Sequence, residues 1–321
     1  MKSIALVCAH NGESYIFAQL SSMASQSRPI SRIVVFDFNS ADRTVEEVER
    51  FMDMHDAVSL KLVQKDFALG PCQSFLIAMR ELENGVDDEC LIYLCDQDDF
   101  WLPDKNEKIT ALAVELASTT PRYLIHHDVR VTDENLVTTR ESFYDAKFRS
   151  MLSRQGACIS LSFNTTIGHT IAISPDLLRM MNAFRFESGL IMHDWALSVL
   201  AELVGKRVFV PLQLSLYRQH PGNIIGYKKL RRKRPIDKVK NLVHLTREIA
   251  TQGMLVCDQV ASRPNSPFAG QSSDPRVRGA GWLAHQCIRN VMFAPDARRR
   301  IAGLLVVCWH CIMLVGRVTR R

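Results

Sequence analysis

The sequence predicts an α/β protein with a mostly parallel sheet flanked by helices, and two patterns predict it. Short apolar runs of strand character alternate with helix-period stretches as far as His127, the rhythm of right-handed βαβ crossovers. Polar and acidic residues gather just after those runs, where an open parallel sheet presents its ligand-binding edge. The strand runs are Ser3–Ala9, Arg32–Asp37, Val58–Gln64, Leu91–Cys95 and Arg122–His127. Between them, Ser14–Gln26, Asp42–Met54, Cys72–Glu83 and Asp104–Ala117 carry the helical pattern, the last opened by Pro103. Asn11-Gly12-Glu13, Asp37, Gly70 and Asp96–Asp99 are thereby expected on one edge. From Asp128 to Gly156 the pattern is irregular or mixed. Phe163–Ser174 reads as a strand, Pro175–Phe184 and His193–Gly205 as helices, and Arg207–Pro211 as a further strand.

With 321 residues, 47% of them apolar, the chain can bury one large α/β core or two smaller ones. Its nine cysteines are odd in number and show no framework spacing, which points to reduced thiols in a cytosolic protein. Cys308 and Cys311 lie in an apolar run without a second ligand pair, a poor zinc site. Ser3–Ala9 begins as a strand, without a basic stretch or cleavage site, so no signal peptide is expected.

Charge divides the chain unevenly. Residues 1–220 carry 21 Lys and Arg against 29 Asp and Glu, whereas residues 221–321 carry 19 against 5. A basic tail on an acidic body suits an anionic surface. The run 228–240 is densely basic, and 263–281 has loop composition. Segment 301–316 is apolar except for His310 and is flanked by arginines. A helix lying in a membrane interface, a packed helix and a spanning helix are all open for it. The positive-inside tendency disfavours the span. The expected domains are 1–226, and a basic, partly helical region over 227–321.

Leu91–Cys95 ends in Asp96, Asp98 and Asp99, followed by Phe100-Trp101-Leu102-Pro103. Three acids this close repel one another, and burying them is costly unless something compensates. Mg²⁺ or Mn²⁺ would do so, since carboxylate oxygens suit both ions. The alternative is a solvated acidic loop.

Several segments in consistent order resemble family 2 glycosyltransferases, particularly their rhamnosyltransferase-like branch. They are Ala9–Glu13, Phe36–Thr44, Gly70–Phe75, Cys95–Lys105, Met192–Trp195 and Tyr217–Asn223, within roughly residues 3–226. The resemblance implies a GT-A type, Rossmann-like fold, a nucleoside-diphosphate sugar donor and a Mn²⁺ or Mg²⁺ cofactor. Ala9, Asn11, Glu13, Asp37, Gly70, Ser74, Asp96, Gln97 and Arg218 would then bind the nucleotide-sugar. Asp98, Asp99 and His220 would bind the metal, and Asp194 would be the catalytic base. Phe38, His10 and Ser74 depart from the family's usual residues and bear on nucleotide identity more than on the reaction.

These roles make chemical sense. Asp37 can accept the imide N–H of a uracil or thymine, or can be an ordinary acid near a helix start with Ser40 or Asp42 as cap. Arg218 can hold phosphate with its fork of donors. His220 can be a metal ligand or a structural histidine. Asp194 can take the acceptor proton in a single inverting displacement, or simply favour the helix dipole. His126 and His127 point to opposite faces of a strand, so they cannot easily share an ion. That stretch reads as a strand end lining the acceptor side.

The expected activity is inverting, metal-dependent transfer of a sugar to a growing cell-surface glycan or lipid-linked acceptor. Its expected location is the inner face of a bacterial plasma membrane, reached through the basic tail. A sugar-phosphate nucleotidyltransferase would need a Gly-rich, basic loop after the first strand; this one has a single glycine and an acid. A non-catalytic nucleotide-sugar-binding protein is disfavoured by intact Asp96, Asp98 and Asp194. No nucleic-acid partner is expected, because the basic run lacks interleaved aromatics.

Overall fold

Continuous apolar runs form the strands β1 (Lys2–Ala9), β2 (Arg32–Phe38) and β4 (Cys90–Asp96), and the half-exposed β3 (Leu60–Lys65) pairs parallel at their edge, in a computed structural model of the chain. The structure describes residues 1–153, 159–161, 164–184 and 190–223, together with 252–253, 255–257 and 259–260. Ile4–Val7 and Leu91–Cys95 are buried throughout, as central strands covered on both faces must be. Helices α1 (Ile16–Ala24), α2 (Thr44–Met54) and α3 (Pro71–Leu82) form the crossovers. Pro71 opens α3 from an extended Gly70, the position where a missing N–H costs nothing.

The remaining elements are β5 (Phe100–Trp101), α4 (Lys105–Ala117), β6 (Tyr123–Thr132), β7 (Thr138–Arg140), α5 (Ala146–Leu152), β8 (Ala172–Ile173), α6 (Pro175–Asn182), α7 (His193–Val204) and β9 (Lys206–Arg218). The strand order is β3-β2-β1-β4-β8-β6-β9-β5, with β7 beside β6. The sheet is therefore mixed: β8 runs antiparallel to both β4 and β6, and β5 antiparallel to β9. Register sets the functional edge. Ala9 pairs with Asp37 and Cys8 with Asp96, so β1, β2 and β4 end side by side.

Three expectations need correction. Phe163–Ser174 is not one strand: only Ala172–Ile173 pair, after a 3₁₀ turn over Gly168–Thr170. Arg207–Pro211 is the start of a much longer strand, because Pro211 interrupts neither the run nor the Phe100–Leu216 pairing further along. Arg122–His127 continues to Thr132 as the longer strand β6, and Phe100–Trp101, assigned to no element in sequence, is a two-residue strand.

The chain divides into two units that interleave along the sequence. The first comprises Met1–Asp145, Thr166–Ala183 and Val208–Tyr227; the second comprises Ala146–Thr165, Phe184–Arg207 and Lys228–Arg321. The first holds β1 to β8 and most of β9. Among the described residues no helix is long and apolar enough to cross a membrane. The runs 228–240, 263–281 and 301–316, with Cys308 and Cys311, lie outside the described residues. Among the described cysteines, Cys8, Cys90 and Cys95 are free thiols.

Candidate functional site

The loops after β1 and β2 are stitched together by their own polar groups. Asn11 and Asn39 take left-handed backbone conformations (φ 51° and 56°), which asparagine tolerates better than most residues. The Asn11 amide donates to Ser40 Oγ (2.9 Å), and its side-chain oxygen accepts from the Ala41 amide (2.8 Å). Asp37 is buried beside Ala9 and accepts from both the hydroxyl (2.5 Å) and the amide (3.1 Å) of Ser40. Each carboxylate oxygen has a further lone pair, so these bonds do not exhaust it as an acceptor. Glu13 accepts from the Arg43 amide (3.0 Å). Gly70 and Ser74 start α3, next along this edge, where the Ser74 amide donates to Gly70 O.

Gln97 is joined to the β1 end. Its amide group accepts from His10 N (2.8 Å) and donates to His10 O (3.0 Å), as another strand residue would. Gly12 leaves room for this link, because a Cβ there would meet the end of the Gln97 side chain and displace it. Neither His10 nor the backbone dictates this crossing from sequence alone.

The acidic loop splits into two constellations. Asp98 Oδ2 lies 2.8 Å from His220 Nε2, and the His220 ring packs against Tyr15 with centroids 4.5 Å apart. Asp99 is fully buried and turns the other way, its Oδ2 2.8 Å from His169 Nδ1. Asp96 Oδ2 is 3.9 Å from that same nitrogen, and the three donor atoms lie within 4.8 Å of one another. The structure thus brings Asp98 together with His220, and Asp99 together with His169 and Asp96. Burial pushes the Asp99 carboxyl up, opposed by His169.

A divalent cation fits this loop. Asp99 Oδ2 and both ring nitrogens of His169 are buried without an aligned hydrogen bond; the carboxylates suit Mn²⁺ or Mg²⁺, and the imidazole nitrogen favours a transition ion such as Mn²⁺ over Mg²⁺. His169 carried no signal in the sequence. A histidine inside an apolar stretch reads as core, and only the 3₁₀ turn that interrupts that stretch brings it to Asp99.

Arg218, at the end of β9, fixes the loop from the side. Its Nε donates to Asp98 O (2.7 Å), Nη1 donates to Glu134 O (2.6 Å), and its amide donates to Asp99 Oδ1 (3.3 Å). Burial draws its pKa down. Two arms of the expected phosphate fork are thus engaged with main-chain carbonyls.

Asp194 belongs to the second unit, in the first turn of α7. It is 3% exposed, and burial raises its pKa from 3.8 to about 6. Oδ1 accepts from the Trp195 amide (2.6 Å), and Asn164 Nδ2 stands 3.4 Å from both oxygens. Trp195 is held in turn by Nε1 donating to Ser160 O (2.5 Å). His193 beside it is pushed down to about 3 by burial, so it is a neutral ring at physiological pH. His126, His127 and Asp128 fall inside β6, not at a strand end, and are all buried.

With this geometry established, comparison with known proteins shows what the chain is similar to. Residues 3–159 match the family model described as Glycosyltransferase like family 2. The structure resembles S. aureus TarS 1-349 in complex with UDP-GlcNAc, with TM-score 0.55 at 16% identity over 98% of this chain and 92% of that one. The mannosyltransferase PcManGT from Pyrobaculum calidifontis, in complex with GDP-Man and Mn²⁺, gives TM-score 0.51 at 16% identity over 99% and 79%. GalNAc-T7 with UDP, GalNAc and Mn²⁺ gives 0.56 at 11% identity over 91% and 57%. No curated protein sequence matches the chain. At these identities the likeness shows the fold, which is that of the GT-A glycosyltransferases.

Proposed function

We propose that the protein is an inverting, metal-dependent glycosyltransferase that moves a sugar from a nucleoside-diphosphate donor to a hydroxyl of a surface glycan or lipid-linked acceptor. The observation that carries the reading is the register of β1, β2 and β4. It ends Ala9, Asp37 and Asp96 side by side, with the Asp98–His220 and Asp99–His169 pairs on the following loop.

In this reading Asp37, Glu13, Ala9 and Asn11 receive the base and ribose, with Gly70 and Ser74 on the next loop and Asp96 toward the ribose. Gln97 and Arg218 act largely through the loops they hold. Mn²⁺ or Mg²⁺ would be held by Asp98 with His220, Asp99 joining them only by turning from His169, with which it and Asp96 form the loop's other donor set, and would supply charge neutralisation for the diphosphate oxygens. Asp194 takes the proton of the attacking acceptor hydroxyl. With its pKa near 6 it is ionised at neutral pH yet still basic enough to accept a proton. A single displacement with one base inverts the anomeric centre. The basic residues of 221–321 would seat the protein on the anionic inner face of a bacterial plasma membrane.

Calorimetric titration with UDP, GDP and dTDP, with and without Mn²⁺, tests the donor side. One nucleotide should bind at least tenfold more tightly with Mn²⁺, and Asp98→Asn should remove that gain. Equal affinity with and without metal would refute the metal reading.

A further inference from the structure

Lys105 is the first residue of α4 and is fully buried. Three costs meet there. A lysine is rarely buried unless it is paired. Its ammonium has three donors, yet the one hydrogen bond it makes is to His169 O at 3.2 Å, and no carboxylate pairs with it directly among the described residues. A cation at a helix N-terminus also faces the positive end of the dipole. Burial accordingly pulls its pKa down to about 8, while Asp99 and the Cys95 thiol act in the opposite sense.

Two features offset these costs. Nζ sits 3.8 Å from the Trp101 ring centroid and 5.8 Å from that of Tyr93. A desolvated cation–π contact is stronger than an exposed one and offsets part of the cost of burying the charge. The second is the charge of the loop itself. Lys105 holds the main chain of His169, whose ring stands against Asp99 and near Asp96.

We propose that Lys105 is a positioning residue, a fixed internal counter-charge to the loop carrying Asp96, Asp98 and Asp99. It keeps Asp96 and Asp99 assembled around His169 when no divalent ion is bound. It also holds down the loop's affinity for a free ion, so that Mn²⁺ or Mg²⁺ is retained chiefly when a diphosphate adds its own oxygens. The inference rests on the metal reading of this loop.

Lys105→Met and Lys105→Gln, with Lys105→Arg as the charge-retaining control, separate this role from packing. Gln keeps a donor for His169 O and a stem to lie on Trp101, so it guards against loss of folding in the Met variant. Mn²⁺ binding without nucleotide would be followed by the electron paramagnetic resonance of the free ion, with folding checked by thermal melting. Removing a positive charge close to a cation site should tighten binding by roughly three- to tenfold in the folded Met or Gln variant. The Arg variant should stay close to the parent. A residue that merely packs the loop would, when lost, loosen it and weaken the ion's binding. Unchanged or weaker Mn²⁺ affinity in a folded Met or Gln variant overturns the proposal. If the parent protein shows no saturable Mn²⁺ binding even with UDP, GDP or dTDP present, the metal reading fails and takes this inference with it, an outcome visible without any variant.

Discussion

Asp194 joins chemistry and stability in one side chain. Its folded pKa of about 6 lies above its ordinary value of 3.8, so folding favours the protonated form. That contribution is fully present below pH 4 and is lost as pH rises through 6. At pH 7 the ionised group therefore costs on the order of 3 kcal/mol relative to its protonated state. Asp194→Asn should lower kcat by roughly 10²- to 10⁴-fold with donor affinity retained. It should also raise the melting temperature at pH 7 and flatten the fall of stability between pH 4 and 6. The parent's kcat should fall as pH drops below about 6. Near-normal turnover in the Asn variant would refute the base assignment. The place of Asp194 in the first turn of a helix was legible in the sequence from the apolar pattern that follows it. The contact between Lys105 and His169 was not, because the two residues meet across 64 positions of chain and each alone reads as ordinary.

The elements that sequence periodicity located well are those whose burial is uniform. β1, β2 and β4 lie in continuous apolar runs, and α1 to α4 show the helical spacing between them. Short or interrupted strands escaped. β5 and β8 have two residues each, too few to carry a period, and β9 runs on through Pro211, a residue that reads as a strand breaker in sequence. The Gln97–His10 link between the ends of β4 and β1 also escaped, although Gln97 itself was singled out. It makes a definite prediction at Gly12, whose missing Cβ gives the Gln97 side chain its path. Gly12→Ala should lower the unfolding free energy by about 1–3 kcal/mol, measured by urea denaturation, and weaken nucleotide binding severalfold. Parent-like stability and binding together would show that the link is dispensable.

At the scale of the molecule, the GT-A fold was legible because ordered segments spread over more than 200 residues agreed with one another, whereas each alone was weak. The charge asymmetry also belongs to this scale. If residues 221–321 seat the protein on a membrane, the full chain should bind vesicles containing anionic phosphatidylglycerol at low salt and leave them at about 0.5 M salt. Equal binding to neutral and anionic vesicles would contradict that. The fold hosts many specificities, so donor and acceptor must come from chemistry, not architecture. The central claim is that the edge built by β1, β2 and β4 activates a nucleotide-sugar in the presence of a divalent ion. Its most direct test is release of nucleoside diphosphate from UDP-, GDP- and dTDP-sugars by the full chain with Mn²⁺. The account predicts turnover of at least one donor, abolished by EDTA and by Asp98→Asn. No turnover of any of the three with metal supplied, or release unaffected by the Asn variant, would contradict it.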